Sequence, residues 1–105
     1  MATKKQFSSF EDLIDQSDKP LLIDFYATWC GPCQMLVPIL SQVQQLMKGK
    51  IQVVKVDTDR YPKLAQRFQV QALPTLVFLK DGQPVQRLEG VLPAEKIIDL
   101  ITPYV

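Results

Sequence analysis

Two runs of this sequence, residues 21–27 and 51–57, read as strands with no face left to water. The first is nearly continuous in apolar residues and is broken by Asp24; the second is rich in β-branched residues and carries Lys55 in its interior. A strand exposed on one side alternates apolar with polar residues, whereas a strand covered on both sides need not. Between the two, Met35, Leu36, Ile39, Leu40, Val43, Leu46 and Met47 recur at helical spacing as far as Gly49. Strand, helix and strand in that order imply a parallel pair joined by a crossover, a unit found in sheets that helices cover. Asp24 and Lys55 are then two anomalies, charges set where the pattern predicts burial.

The remainder fits the same architecture. Ser8 and Glu11 have the spacing of a capping box, and Phe10, Leu13 and Ile14 fall on one face of a short helix over about 8–17. Pro38 sits inside the long helical pattern, where it removes a hydrogen bond and favours a kink. Residues 60–68 form a shorter helix candidate, and residues 72–75 open a third strand that runs to Leu79. Asp81-Gly82 marks a tight turn, so residues 85–89 pair antiparallel with the third strand and Gly90 ends that pairing. A last helix begins near Pro93, a residue favoured at the first helical position, with Ile97, Ile98, Leu100 and Ile101 facing inward. The fold class is α/β, a mixed sheet with helices on both faces.

A chain of 105 residues suits one domain, spanning 1–105, and 47% apolar with 22% charged residues is the composition of a globular protein. Formal net charge is +1, with no basic block to follow a phosphate backbone, which argues against nucleic acid as a partner. No apolar run approaches the 18 or so residues of a membrane span, and the first nine residues lack the apolar core of a secretory signal. The expected location is a cytoplasm, or a plastid interior if the chain is a mature form.

The chain has two cysteines and no histidine, and the cysteines stand at Cys30-Gly31-Pro32-Cys33. Zinc and iron–sulfur sites usually need four ligands, which are not here, so no metal is expected. A structural disulfide across so short a loop would constrain the unfolded chain little. The pair falls between a buried strand and the start of a long helix, where free N–H groups and the positive end of the helix dipole favour a thiolate. Residues i and i+3 meet across one turn. Cys30 is therefore the nucleophile that attacks a substrate disulfide, and Cys33, deeper and less exposed, is the thiol that resolves the mixed disulfide.

The stretch Asp24-Phe25-Tyr26-Ala27-Thr28-Trp29-Cys30-Gly31-Pro32-Cys33, with Pro38, Lys55, Ala72-Leu73-Pro74-Thr75, Asp81-Gly82 and Gly90 in order behind it, resembles the thioredoxin family over nearly the whole chain. Residues 51–62, Tyr26, Gln34 and Ala72-Leu73 look most like its plastid y-type and cyanobacterial members. The resemblance implies a three-layer α/β/α sandwich of four to five strands and four helices, and a cis bond before Pro74. It implies that Asp24 handles the Cys33 proton, that Lys55 modulates Asp24, and that Trp29, Gly31, Pro32, Leu73, Pro74 and Gly90 form a substrate-docking rim. Plainer readings stand beside these: a salt-bridged structural Asp24, a Lys55 that only extends to the strand's edge, a Trp29 packed in the core, and a Pro74 that merely starts a strand.

The same resemblance implies a monomeric protein-disulfide reductase without a bound cofactor. It would be recharged by an NADPH- or ferredoxin-dependent thioredoxin reductase and would serve disulfide-containing targets such as peroxiredoxins. Tyr26 stands where many members have a second Trp, Gln34 replaces a common Lys, and Glu89 puts a charge beside Gly90 where many have an apolar residue. These departures bear on the choice of partner.

Overall fold

The run that carries Asp24 forms β1, Leu21–Tyr26, and the helical pattern after it forms α1, Gly31–Leu46. β2 follows at Gln52–Asp57, then α2 at Pro62–Arg67, β3 at Thr75–Lys80, β4 at Gln83–Glu89, and α3 at Ala94–Ile101 with a 3-10 turn over Thr102–Tyr104. The computed structural model describes residues 9–10, 12–13 and 17–105. Residues 10, 12 and 13 are helical, and the Ser9 hydroxyl caps them by accepting the Asp12 N–H at 3.1 Å. The expected Ser8–Glu11 capping box and Ile14 lie outside the described residues.

Among the described residues the sheet has four strands in the order β2-β1-β3-β4. β1 pairs parallel with β2 and antiparallel with β3, so both of its edges are hydrogen-bonded. The β3–β4 hairpin closes through Asp81 and Gly82, both at positive φ (52° and 77°), as the two-residue turn matched to strand twist requires.

Alternation along the strands separates two cores. Leu22, Val53, Leu76, Phe78 and Leu88 face Leu36, Leu40, Val43 and Met47 of α1 and Ala94, Ile97 and Ile101 of α3. Leu21, Ile23, Phe25, Val56, Val77 and Leu79 face Leu13 and the α2 residue Ala65 on the other side, where the Phe68 ring meets those of Phe10 and Phe25. The expected three layers are present, with α1, α2, α3 and the helical residues near Leu13 as the cover.

Two expectations about helices change. The buried stripe of α1 is Cys33, Leu36, Leu40 and Val43, continued by its C-cap Met47; these steps of three and four leave Met35 and Leu46 on the opposite side, 63% and 61% exposed. Apolar character alone puts both on the inward face. Pro93 is the N-cap of α3 and not its first residue, its carbonyl accepting from the Lys96 and Ile97 N–H groups. Pro38 lies inside α1 on the exposed side without ending it.

The two residue classes on α1 should respond differently to truncation. Leu36→Ala removes a fully buried side chain and should cost about 2–5 kcal/mol, whereas Met35→Ala should change stability by less than about 0.5 kcal/mol, both read from urea unfolding.

Candidate functional site

β1 ends at Tyr26, and the chain turns once, with the Cys30 N–H bonded to the Ala27 carbonyl, before α1 begins. Cys30 is the N-cap of α1 in extended conformation (φ −90°, ψ 112°). Its Sγ accepts the Cys33 N–H at 3.2 Å and its carbonyl accepts the Gln34 N–H. Pro32, in the first turn, has no N–H to leave unpaired. The sulfur of Cys30 thus takes the place that a Ser or Asp oxygen takes in an ordinary cap, where negative charge is favoured.

Cys30 and Cys33 are joined as a disulfide, with 5.3 Å between their Cα atoms. The sequence pattern puts Cys33 deeper than Cys30, but exposure does not separate them: each residue is 4% exposed, while Gly31 and Pro32 between them are exposed. Their difference is one of position. Cys30 caps the helix, and Cys33 heads its buried stripe; Ala27 shares their cluster, with Tyr26 and Leu73 packed against it.

Asp24 lies on the sheet face covered by α1, the face of Leu22, and stands between Lys55 on β2 and Leu76 on β3. It is 2% exposed and its Oδ1 has no hydrogen-bond partner. Burial pushes its carboxyl from 3.8 up to about 6, and the Lys55 charge pulls in the opposite direction. Lys55 itself is exposed, with its Nζ over the Tyr26 ring at 5.7 Å.

Trp29 is 71% exposed, which excludes core packing, and its indole N–H donates to Asp59 Oδ2 at 2.9 Å. Asp59 follows β2, and the two loops are held together by the Thr58 N–H and hydroxyl, both donating to the Tyr26 carbonyl. The Leu73-Pro74 bond is cis. Pro74 is buried, Leu73 is half-buried against the cysteine cluster, and the Pro74 carbonyl accepts the Gly90 N–H at 2.9 Å, with Gly90 at φ +86°. The Thr75 hydroxyl, buried, donates to the Ala72 carbonyl. Asp59 does not stand out in the sequence, and Thr75 does so only as the last residue of Ala72-Leu73-Pro74-Thr75; the only signal for Asp59 is that loops after adjacent parallel strands end side by side.

Fold and site together define a class: thioredoxin-fold proteins with a Cys-Gly-Pro-Cys disulfide at a helix N-terminus. The family model described as Thioredoxin matches residues 2–103. The chain is 55% identical over its whole length to the full length of Thioredoxin-like protein slr0233 of Synechocystis sp.. It is also 55% identical over 100 residues, 95% of this chain, to Thioredoxin Y1, chloroplastic, of Arabidopsis thaliana. It spans 58% of that plastid relative's length. Among solved structures, oxidised mitochondrial thioredoxin 3 of Saccharomyces cerevisiae matches with TM-score 0.79 and 41% identity over 89% of this chain and 86% of that one. Fasciola hepatica thioredoxin matches with TM-score 0.82 and 33% identity over 90% of each. The chain belongs to the thioredoxin family, and its likeness to the plastid y-type and cyanobacterial members agrees with residues 51–62, Tyr26, Gln34 and Ala72-Leu73.

The raised Asp24 value carries a sign for stability. A carboxylate whose native pKa exceeds its unfolded value opposes folding when ionised, so the penalty is complete above about pH 6 and gone below about pH 3.8. Asp24→Asn should stabilise the disulfide form by about 3 kcal/mol at pH 8 and by little at pH 4. Urea unfolding at the two pH values tests this; a gain independent of pH would trace it to something other than the buried charge.

Proposed function

We propose that this chain is a protein-disulfide reductase, and the observation that carries the reading is the Cys30 sulfur seated as the α1 N-cap, accepting the Cys33 N–H and bonded to Cys33. In the reduced form the cap favours the Cys30 thiolate. The thiolate attacks one sulfur of a substrate disulfide; the substrate S–S bond breaks, a Cys30–substrate bond forms, and the other substrate sulfur leaves as a thiolate that takes a proton. Cys33 then gives up its proton and attacks Cys30 Sγ, which restores the Cys30–Cys33 bond and frees the second substrate thiol. Two electrons and two protons have passed to the substrate.

Asp24, ionised at neutral pH but with its pKa raised to about 6, is suited to take the Cys33 proton, and Lys55 sets how easily. Trp29, Gly31, Pro32, Leu73, Pro74 and Gly90 form the docking rim, where the backbone at Leu73 pairs with an extended segment of the substrate. Each turnover leaves a disulfide, so a thioredoxin reductase drawing on NADPH or ferredoxin must reduce it again. The plastid and cyanobacterial relatives support a cytoplasm or plastid stroma as the place of action. A monomeric state and peroxiredoxin-like enzymes among the targets belong to the same reading.

Insulin reduction followed as turbidity, with dithiothreitol as electron source, tests the reading. The native chain should precipitate insulin rapidly, and Cys30→Ser should bring the rate down to that of dithiothreitol alone. Cys33→Ser, reduced and then freed of dithiothreitol, should stop at the mixed disulfide, visible by mass spectrometry as a covalent adduct with insulin. Equal rates for native chain and Cys30→Ser would refute the catalytic reading.

A further inference from the structure

The segment that leads into Pro74 leaves α2 through a turn with an uncommon residue in it. Gln69 has φ +54°, the left-handed conformation that glycine usually supplies at a helix end. The Gln69 N–H donates to the Gln66 carbonyl and the Val70 N–H to the Ala65 carbonyl, the paired bonds of a Schellman turn. Two further carbonyls at this helix end, those of Phe68 and Gln69, both accept from Arg87 on β4: Nη1 and Nη2 reach them at 2.6 Å each. Arg87 in turn has Glu89 Oε2 3.5 Å from its Nε. Arg87 stands opposite Val77, on the sheet face that α2 covers, so a strand at the sheet's edge holds the end of a helix.

Four residues, Val70 to Leu73, separate this anchor from Pro74. The far end of the segment is held by the Thr75 hydroxyl on the Ala72 carbonyl and by the Gly90 N–H on the Pro74 carbonyl. Arg87 and Gly90 belong to one stretch of chain, β4 and the residue after it, so the two ends of the segment are referred to the same strand. A planar guanidinium can span two successive carbonyls with parallel N–H groups, and an ammonium cannot.

We infer that Arg87 is a positioning residue for disulfide reduction: by fixing the Phe68 and Gln69 carbonyls it sets the path of residues 70–73 and so the place of the Leu73 backbone against a protein substrate. This rests on the reading of Leu73 as a substrate-pairing strand. A small disulfide that touches only Cys30 does not use that strand, whereas a protein disulfide does, so Arg87 bears on the ratio of the two rates.

The fully reduced protein is mixed in single turnover with insulin and, separately, with 5,5′-dithiobis(2-nitrobenzoate). For Arg87→Lys, which keeps a cation near Glu89 but loses the two-carbonyl grip, the ratio of the insulin rate to the small-disulfide rate should fall about tenfold, as misplacement by a fraction of an ångström does. The double variant Arg87→Lys with Gln69→Gly separates positioning from stability, because glycine relieves the left-handed turn without restoring the grip. Its unfolding midpoint should return toward the native value while the ratio stays low. An unchanged ratio in Arg87→Lys, or a ratio that recovers with stability in the double variant, would overturn the inference while leaving the reductase reading intact. A native chain that reduces neither disulfide would overturn both.

Discussion

β1 is bonded along both edges and covered on both faces, and the site is a consequence of that burial. A strand so enclosed can present function only at its end. At the end of β1 the chain turns through Trp29 and becomes α1, and at the end of its parallel neighbour β2 it turns through Asp59, which places the two loops in contact. The rule that α/β sheets bind beyond the carboxyl ends of their strands is met here by geometry: parallel neighbours finish on the same side. The loop before Pro74 arrives there from the other direction, because β3 runs antiparallel to β1 and begins where β1 ends.

The electrostatics differ at two places along this path. The Cys30 sulfur sits where helix N–H groups are unpaired and receives one of them, a position that in general suits negative charge. At Asp24 the anion is disfavoured, since the strand has carried it under α1, away from water and without a partner for Oδ1. The raised carboxyl value brings Asp24 close to neutrality, the range in which the proposed exchange of a proton with Cys33 needs it. Lys55 tempers the second effect and does not cancel it; its ammonium is in solvent, over the Tyr26 ring.

The parts of this structure that are legible in the sequence are those set by local forces. β1, β2 and the hairpin are readable because covered strands and an Asp-Gly turn leave marks within six or seven residues. Cys30 and Cys33 are readable because their spacing and their place between strand and helix are also local. Met35 and Leu46 are misplaced because apolar character does not say which of two adjacent helical stripes meets the sheet; that depends on where Cys33 and Leu36 are anchored. Equal burial of the two cysteines is not legible, since it depends on Leu73 and Ala27 closing over them, Leu73 from distant sequence. Asp59, Thr75 and Arg87 act on carbonyls or side chains that the fold brings near, and no periodicity records that.

The rim's charges also mean something different in three dimensions. In the sequence Glu89 reads as a charge beside Gly90 and Asp59 carries no reading, yet in the fold both carboxylates have partners. Asp59 accepts the Trp29 indole, and Glu89 lies beside Arg87, whose other nitrogens hold the end of α2. An exposed ion pair like the second contributes at most about 1 kcal/mol, so its effect on stability is small. The guanidinium it pairs with also bonds the Phe68 and Gln69 carbonyls. On the proposed docking role of this rim, the two acids orient groups that a partner would meet, the indole directly and the Leu73 backbone through Arg87. Replacing either acid would therefore alter the shape offered to a partner together with the charge, and the two effects separate by salt dependence, which screening imposes on charge and not on shape.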